Sequence, residues 1–95
     1  MKYIIDIDNT ICHTVASNYP NSQPIPERIS LVNQLYLNGN HITYWTARGG
    51  NSGMDWTRLT TQQLEEWGCL YHELRMGKPA YDIWVDDRAL WIFDT

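Results

Sequence analysis

No stretch of this sequence approaches the roughly 20 consecutive apolar residues that a membrane-spanning helix needs, so a membrane-embedded chain is not expected. Basic residues are few: seven Lys and Arg against eleven Asp and Glu leave a net charge of −4. They are scattered and form no stripe, which disfavours a nucleic-acid backbone as a major partner. Cysteine is limited to Cys12 and Cys69, without the spacing of a metal knuckle, and reduced core thiols are expected rather than a bridge. His13, His41 and His72 show no ligand spacing either. Repeats, linkers and low-complexity segments are absent. No cationic leader or cleavage site precedes the first strand pattern, so the expected location is cytoplasmic.

What is present fits one small domain. Ninety-five residues bury only roughly 60–65% of their unfolded surface. The 43% hydrophobic and 19% charged content is that of a globular chain, and five Trp and six Tyr supply large apolar area per residue. The chain opens on a short apolar run, Tyr3, Ile4, Ile5 and Ile7, as expected of a strand covered on both faces in a parallel sheet. Asp6 and Asp8 end that run, and Asn9 tolerates the left-handed backbone of an abrupt turn.

Residues 11–25 lack periodicity and predict a loop over the end of the first strand. Pro26 and Glu27 suit a helix start; Ile29, Val32, Leu35 and Tyr36 recur at helical spacing, and Gly39 stops the helix. His41-Ile42-Thr43-Tyr44-Trp45 reads as a second strand. It runs into the glycine-rich loop Thr46-Ala47-Arg48-Gly49-Gly50-Asn51-Ser52-Gly53. Asp55 is a candidate N-cap of a second helix whose apolar face is Leu59, Leu64 and Trp67, ended at Gly68. Cys69-Leu70-Tyr71 predicts a short third strand. Ile83-Trp84-Val85 predicts a fourth that ends in Asp86-Asp87, with Pro79 to Asp82 extended before it.

This order implies an α/β fold: a small Rossmann-like three-layer sandwich with a mainly parallel sheet and no cap domain. In such a sheet the strand ends converge on one edge, the usual ligand edge of open α/β folds. Asp6, Asp8, Thr46, Lys78, Asp86 and Asp87 then share a crevice. Four carboxylates, a hydroxyl and a lysine together suit a divalent cation and a phosphate. Mg²⁺ prefers oxygen ligands and is typically held by one or two carboxylates plus substrate phosphate. One carboxylate beside the metal can attack phosphorus, and a second can protonate the leaving group and then deprotonate water. Thr46 and the adjacent backbone amides of Ala47 and Arg48 would hold phosphoryl oxygens, with Lys78 offsetting their charge. The Arg48 side chain reads either as a substrate contact or as a solvated loop arginine. Tyr19, Trp45 and Trp56 read either as a stacking wall for a sugar or base or as rim packing.

These motifs resemble those of the haloacid dehalogenase-like phosphohydrolase superfamily. Asp6-Ile7-Asp8-Asn9-Thr10 matches its first motif, Thr46 its second, Lys78 its third and Asp86-Asp87 its fourth, in order and each after the right element. Asn9 stands where glycine is commoner, and residues 11–25 and 49–54 are too short for a cap. The resemblance implies Asp6 as nucleophile, Asp8 as general acid/base, and Thr46 and Lys78 as phosphate ligands. It also implies Mg²⁺ on Asp6, the Asp8 carbonyl and Asp86, with Asp87 close by. Asp8 to Thr14, Trp45 to Arg48, Gly77-Lys78-Pro79 and Val85 to Arg88 further resemble the small capsule-polysaccharide biosynthesis phosphatases, implying a sugar phosphate substrate. The alternatives are a nucleotide or polynucleotide-end phosphatase, or a catalytically weak phosphate- and metal-binding module. The apolar run Leu90-Trp91-Ile92-Phe93 is expected either to fold back on its own sheet or to be covered in a homo-oligomer.

Overall fold

The computed structural model describes residues 1–50 and 53–79. The predicted fourth strand, Asp86, Asp87 and the apolar run of residues 90–93 lie outside the described residues.

The elements run β1 (Lys2–Ile5), β2 (Cys12–His13), a 3₁₀ turn (Tyr19–Asn21), β3 (Gln23–Pro24), α1 (Pro26–Leu37), β4 (His41–Trp45), α2 (Thr57–Glu66) and β5 (Glu73–Arg75). Among the described residues the main sheet has three parallel strands in the order β1-β4-β5, with Ile5 opposite Tyr44 and Tyr44 opposite Leu74. This is the small Rossmann-like α/β fold that the element order predicts, with no cap-like insertion among the described residues.

Alternation along the strands puts Tyr3, Ile5, Ile42, Tyr44 and Leu74 on one sheet face. Ile29 and Val32 of α1 and Leu64 of α2 join them in one core, with Leu35, Tyr36 and Trp67 packed at its border. Complete burial of Val32 and Leu64 contributes roughly 1.5–3 kcal/mol each, which is what docks both helices. Of the three expected layers, the described residues supply the sheet and this helical layer. Ile4 points to the other face and is 60% exposed, so β1 is not covered on both faces by the described residues.

Both helices stop as their sequences predict. Gly39 (φ 90°) and Gly68 (φ 72°) take the left-handed conformation. Asn40 and Cys69 then donate back to the Leu35 and Leu64 carbonyls, completing Schellman caps. Asp55 lies two residues before α2 and accepts the Thr57 N–H at 2.9 Å.

Two elements differ from expectation. Residues 11–25 are not all loop: β2 and β3 pair antiparallel, Cys12 with Pro24 and His13 with Gln23. Two-residue strands carry no periodicity, so nothing in the local pattern marks them. The third strand is Glu73–Arg75 and not Cys69-Leu70-Tyr71. Cys69 is spent on the cap of α2, and pairing with β4 begins only at Glu73, opposite Thr43.

Candidate active site

The site begins with the turn after β1. Asn9 adopts φ 61°, and the N–H groups of Thr10 and Ile11 both donate to the Ile7 carbonyl. Asp8 is thereby raised beside Cys12 as an isolated bridge. The Asn9 side chain accepts the Thr14 N–H at 3.1 Å, fixing the start of the β2–β3 hairpin against the same turn.

Asp6 and Asp8 sit two residues apart in opposite surroundings. The Asp6 side chain is 36% exposed, and its Oδ1 lies 3.9 Å from the Lys78 Nζ. Burial holds its carboxyl above the ordinary carboxylate value, against the pull of the Lys78 ammonium and a backbone hydrogen bond from Ile7. Asp8 is instead clamped. Its Oδ1 accepts from Thr14 Oγ1 at 2.7 Å, Arg48 Nη2 at 2.8 Å and Arg48 Nε at 3.3 Å. Its Oδ2 accepts from the same Nε at 3.0 Å and from Thr46 Oγ1 at 3.5 Å.

The Arg48 side chain has no exposed surface. Its remaining donors reach Thr60 Oγ1 at 3.0 Å and Gln63 Oε1 at 2.6 Å on α2, and Ser22 Oγ at 3.5 Å beside β3. Its guanidinium carbon lies 4.7 Å from the centroid of the Tyr19 ring, whose backbone carbonyl accepts from Gln63 at 2.7 Å. Ser22 and Thr14 are joined by a hydroxyl pair at 2.7 Å. A buried guanidinium is tolerated only when its donors are met, and removing one partner of such a pair costs about 3–5 kcal/mol.

Two expectations are corrected by this arrangement. The Arg48 side chain is neither a substrate contact nor a solvated loop arginine, because its charge is spent on Asp8 beneath the surface. Thr46 is also fully buried. Its hydroxyl accepts the Arg48 N–H at 3.2 Å and reaches towards Asp8, so it does not line open space. Ala47, next in the chain, is exposed, and its carbonyl closes a turn onto the Gly50 N–H at 3.0 Å. Lys78 does reach the expected edge: its N–H donates to the Thr46 carbonyl at 2.8 Å and its side chain is only 11% exposed.

The structure thus brings Asp6, Asp8, Thr46, Ala47, Arg48 and Lys78 together beyond the strand ends. Asp86 and Asp87 lie outside the described residues. Thr14, Ser22, Thr60 and Gln63 belong to the site, and the last three carry no motif of their own. One sequence signal does mark α2: Thr60, Gln63, Leu64 and Trp67 fall on one helical stripe, and the two polar members are buried. Polar residues in a core-facing stripe imply a buried partner.

Tyr19 and Trp56 meet edge to face at 5.2 Å, while Trp45 stacks with Arg75, 4.4 Å from centroid to guanidinium. A second concavity of about 260 Å³ lies on the sheet face that carries Ile4, among Lys2, Ile4, His41, Glu73 and Arg75. It flanks the strands rather than their carboxyl ends and gathers charges of both signs.

A metal ion is implied by the resemblance, and the donors present suit one. Asp6 offers a partly exposed carboxylate with the Lys78 ammonium 3.9 Å away, and the Asp8 backbone carbonyl follows two residues on in the chain. Among the described residues no three His, Cys, Asp or Glu side chains form a cluster that could hold a metal ion. One carboxylate and a carbonyl is the sparse protein share that Mg²⁺ accepts when waters and a phosphate supply the rest.

Fold and site define a small α/β protein with a polar crevice at the carboxyl ends of its parallel strands. No family model and no curated protein matches the sequence. Among solved structures, a target protein from Vibrio cholerae matches with a TM-score of 0.82 and 30% identity, over 94% of this chain and 81% of that one. This chain belongs to the same family as that protein. Among the described residues no helix is long and apolar enough to cross a membrane.

Proposed function

We propose that the protein is a capless, Mg²⁺-dependent phosphomonoester hydrolase of the haloacid dehalogenase-like type. It would work through an aspartyl-phosphate on Asp6, with a small phosphorylated metabolite as substrate. The observation that carries this reading is the contrast between the two carboxylates of one turn. Asp6 is accessible, with the Lys78 ammonium 3.9 Å away, as a nucleophile must be. Asp8 is immobilised by an arginine fork and a threonine hydroxyl, as an acid/base must be.

In the proposed cycle an Asp6 oxygen attacks phosphorus, the bond to the leaving oxygen breaks, and Asp8 delivers a proton to that oxygen. Asp8 then takes a proton from water as the water attacks phosphorus, releasing phosphate and restoring the Asp6 carboxylate. The exposed Ala47 backbone and the Lys78 ammonium would hold the phosphoryl oxygens, and the buried Thr46 hydroxyl would orient them indirectly. Bound on Asp6 and the Asp8 carbonyl, with Asp86 and Asp87 as further candidates, Mg²⁺ would neutralise charge developing on the phosphoryl group. The Tyr19–Trp56 pair offers an apolar wall to the rest of the substrate, in keeping with a sugar phosphate.

Hydrolysis of p-nitrophenyl phosphate tests the reading. Turnover should require Mg²⁺, stop on chelation and fall at least 10³-fold in Asp6→Asn, because an amide cannot attack phosphorus. Wild-type turnover in Asp6→Asn would refute the assignment.

A further inference from the structure

We propose that Arg48 is a positioning residue that turns the Asp8 carboxylate so that Oδ2, and not Oδ1, carries the transferred proton. The proposal rests on the phosphatase reading for its chemistry and on geometry for its substance.

Oδ1 is filled. It accepts Thr14 Oγ1 at 2.7 Å and Arg48 Nη2 at 2.8 Å, with Arg48 Nε at 3.3 Å and the Cys12 thiol at 3.8 Å beyond them. A carboxylate oxygen with this many donors has no lone pair left for a proton. Oδ2 has one firm donor, Nε at 3.0 Å, and the distant Thr46 hydroxyl at 3.5 Å. It is also the oxygen on the side of Thr46, whose neighbour Ala47 is the exposed end of the strand β4 crevice.

The guanidinium can fix this orientation because it is itself fixed. Thr60 and Gln63 of α2 hold Nη1, Ser22 reaches Nη2, and the Tyr19 ring lies over its carbon at 4.7 Å. One side chain thus connects α2, the β2–β3 hairpin and the turn after β1 to a single carboxylate. A lysine at this position would keep the charge but not the fork, leaving the carboxylate free to rotate.

The test is Arg48→Lys, assayed on p-nitrophenyl phosphate and on a sugar 6-phosphate. The aryl leaving group needs no proton and the alkyl one does. The alkyl rate should fall about 10- to 100-fold further than the aryl rate. A merely structural role would lower both together, and equal losses would overturn the proposal. Should Arg48→Lys fail to fold, Gln63→Leu, which removes one of the two partners of Nη1, should shift the same ratio in the same direction by a smaller factor; an unchanged ratio would overturn the proposal. If the wild type hydrolyses neither ester, the phosphatase reading fails by itself. The crystal structure of the variant then decides the positioning role: rotation of Asp8 with loss of the Thr14 contact is expected. An Asp8 carboxylate that keeps its place would overturn it.

Discussion

At the scale of single residues, the two aspartates of the first turn divide stability and chemistry between them. Burial raises the Asp6 carboxyl above its ordinary value, and Lys78 offsets only part of that shift. Between the ordinary and the raised value the folded chain binds more protons than the unfolded one. Stability therefore falls as pH rises through that window, and the deficit persists at neutral pH. Asp6→Asn, which cannot ionise, should melt at a higher temperature than wild type at pH 7 in the presence of a chelator. The gain should vanish below the ordinary carboxylate range. A thermal melt that shows Asp6→Asn less stable at pH 7 would mean that the Lys78 pair outweighs desolvation. The acidic pair itself is legible from sequence, since carboxylates that end an apolar strand need a cation. The role of Arg48 is not, because its partners Asp8, Ser22, Thr60 and Gln63 are brought together only by the fold.

At the scale of elements, legibility follows how local the cause is. Helix α1 and strand β4 are written in their own apolar spacing, and the glycine stops of both helices in single residues. β5 is set by its register on β4, which seats Leu74 against Tyr44 and leaves the flanking Glu73 and Arg75 exposed. A short strand of that kind has little apolar signal, whereas Cys69-Leu70-Tyr71 has more and is not a strand. The turn between β1 and β2 makes a sharper test of local causes. Asn9 supplies both a left-handed φ and an acceptor for the Thr14 N–H. Asn9→Gly keeps the first and loses the second, costing about 1 kcal/mol. Asn9→Ala loses both and should cost about 2–3 kcal/mol, with the left-handed strain added. Urea unfolding of the two variants checks the order, and equal losses would show that backbone strain contributes nothing here.

At the scale of the whole molecule, both thiols are core groups. Cys12 has no exposed surface, and Cys69 is 9% exposed. Burial raises both, Cys69 to about 11. At pH 8 the folded chain would then present only about one Cys69 in a thousand as thiolate, and that one shielded from reagent. Iodoacetamide should label the two cysteines together, at a rate that follows global unfolding in urea. Rapid labelling of Cys69 in the native protein would contradict the single core.

The central claim is that Asp6 forms a covalent bond to phosphorus, and trapping that bond tests it most directly. The protein is mixed with a phosphomonoester and Mg²⁺, quenched in acid within one turnover, digested and analysed by mass spectrometry. The account predicts phosphate on the peptide that carries Asp6, removed by hydroxylamine as an acyl phosphate should be, and absent from Asp6→Asn. Turnover with no phosphorylated peptide at any quench time, or phosphate on another residue, would contradict it.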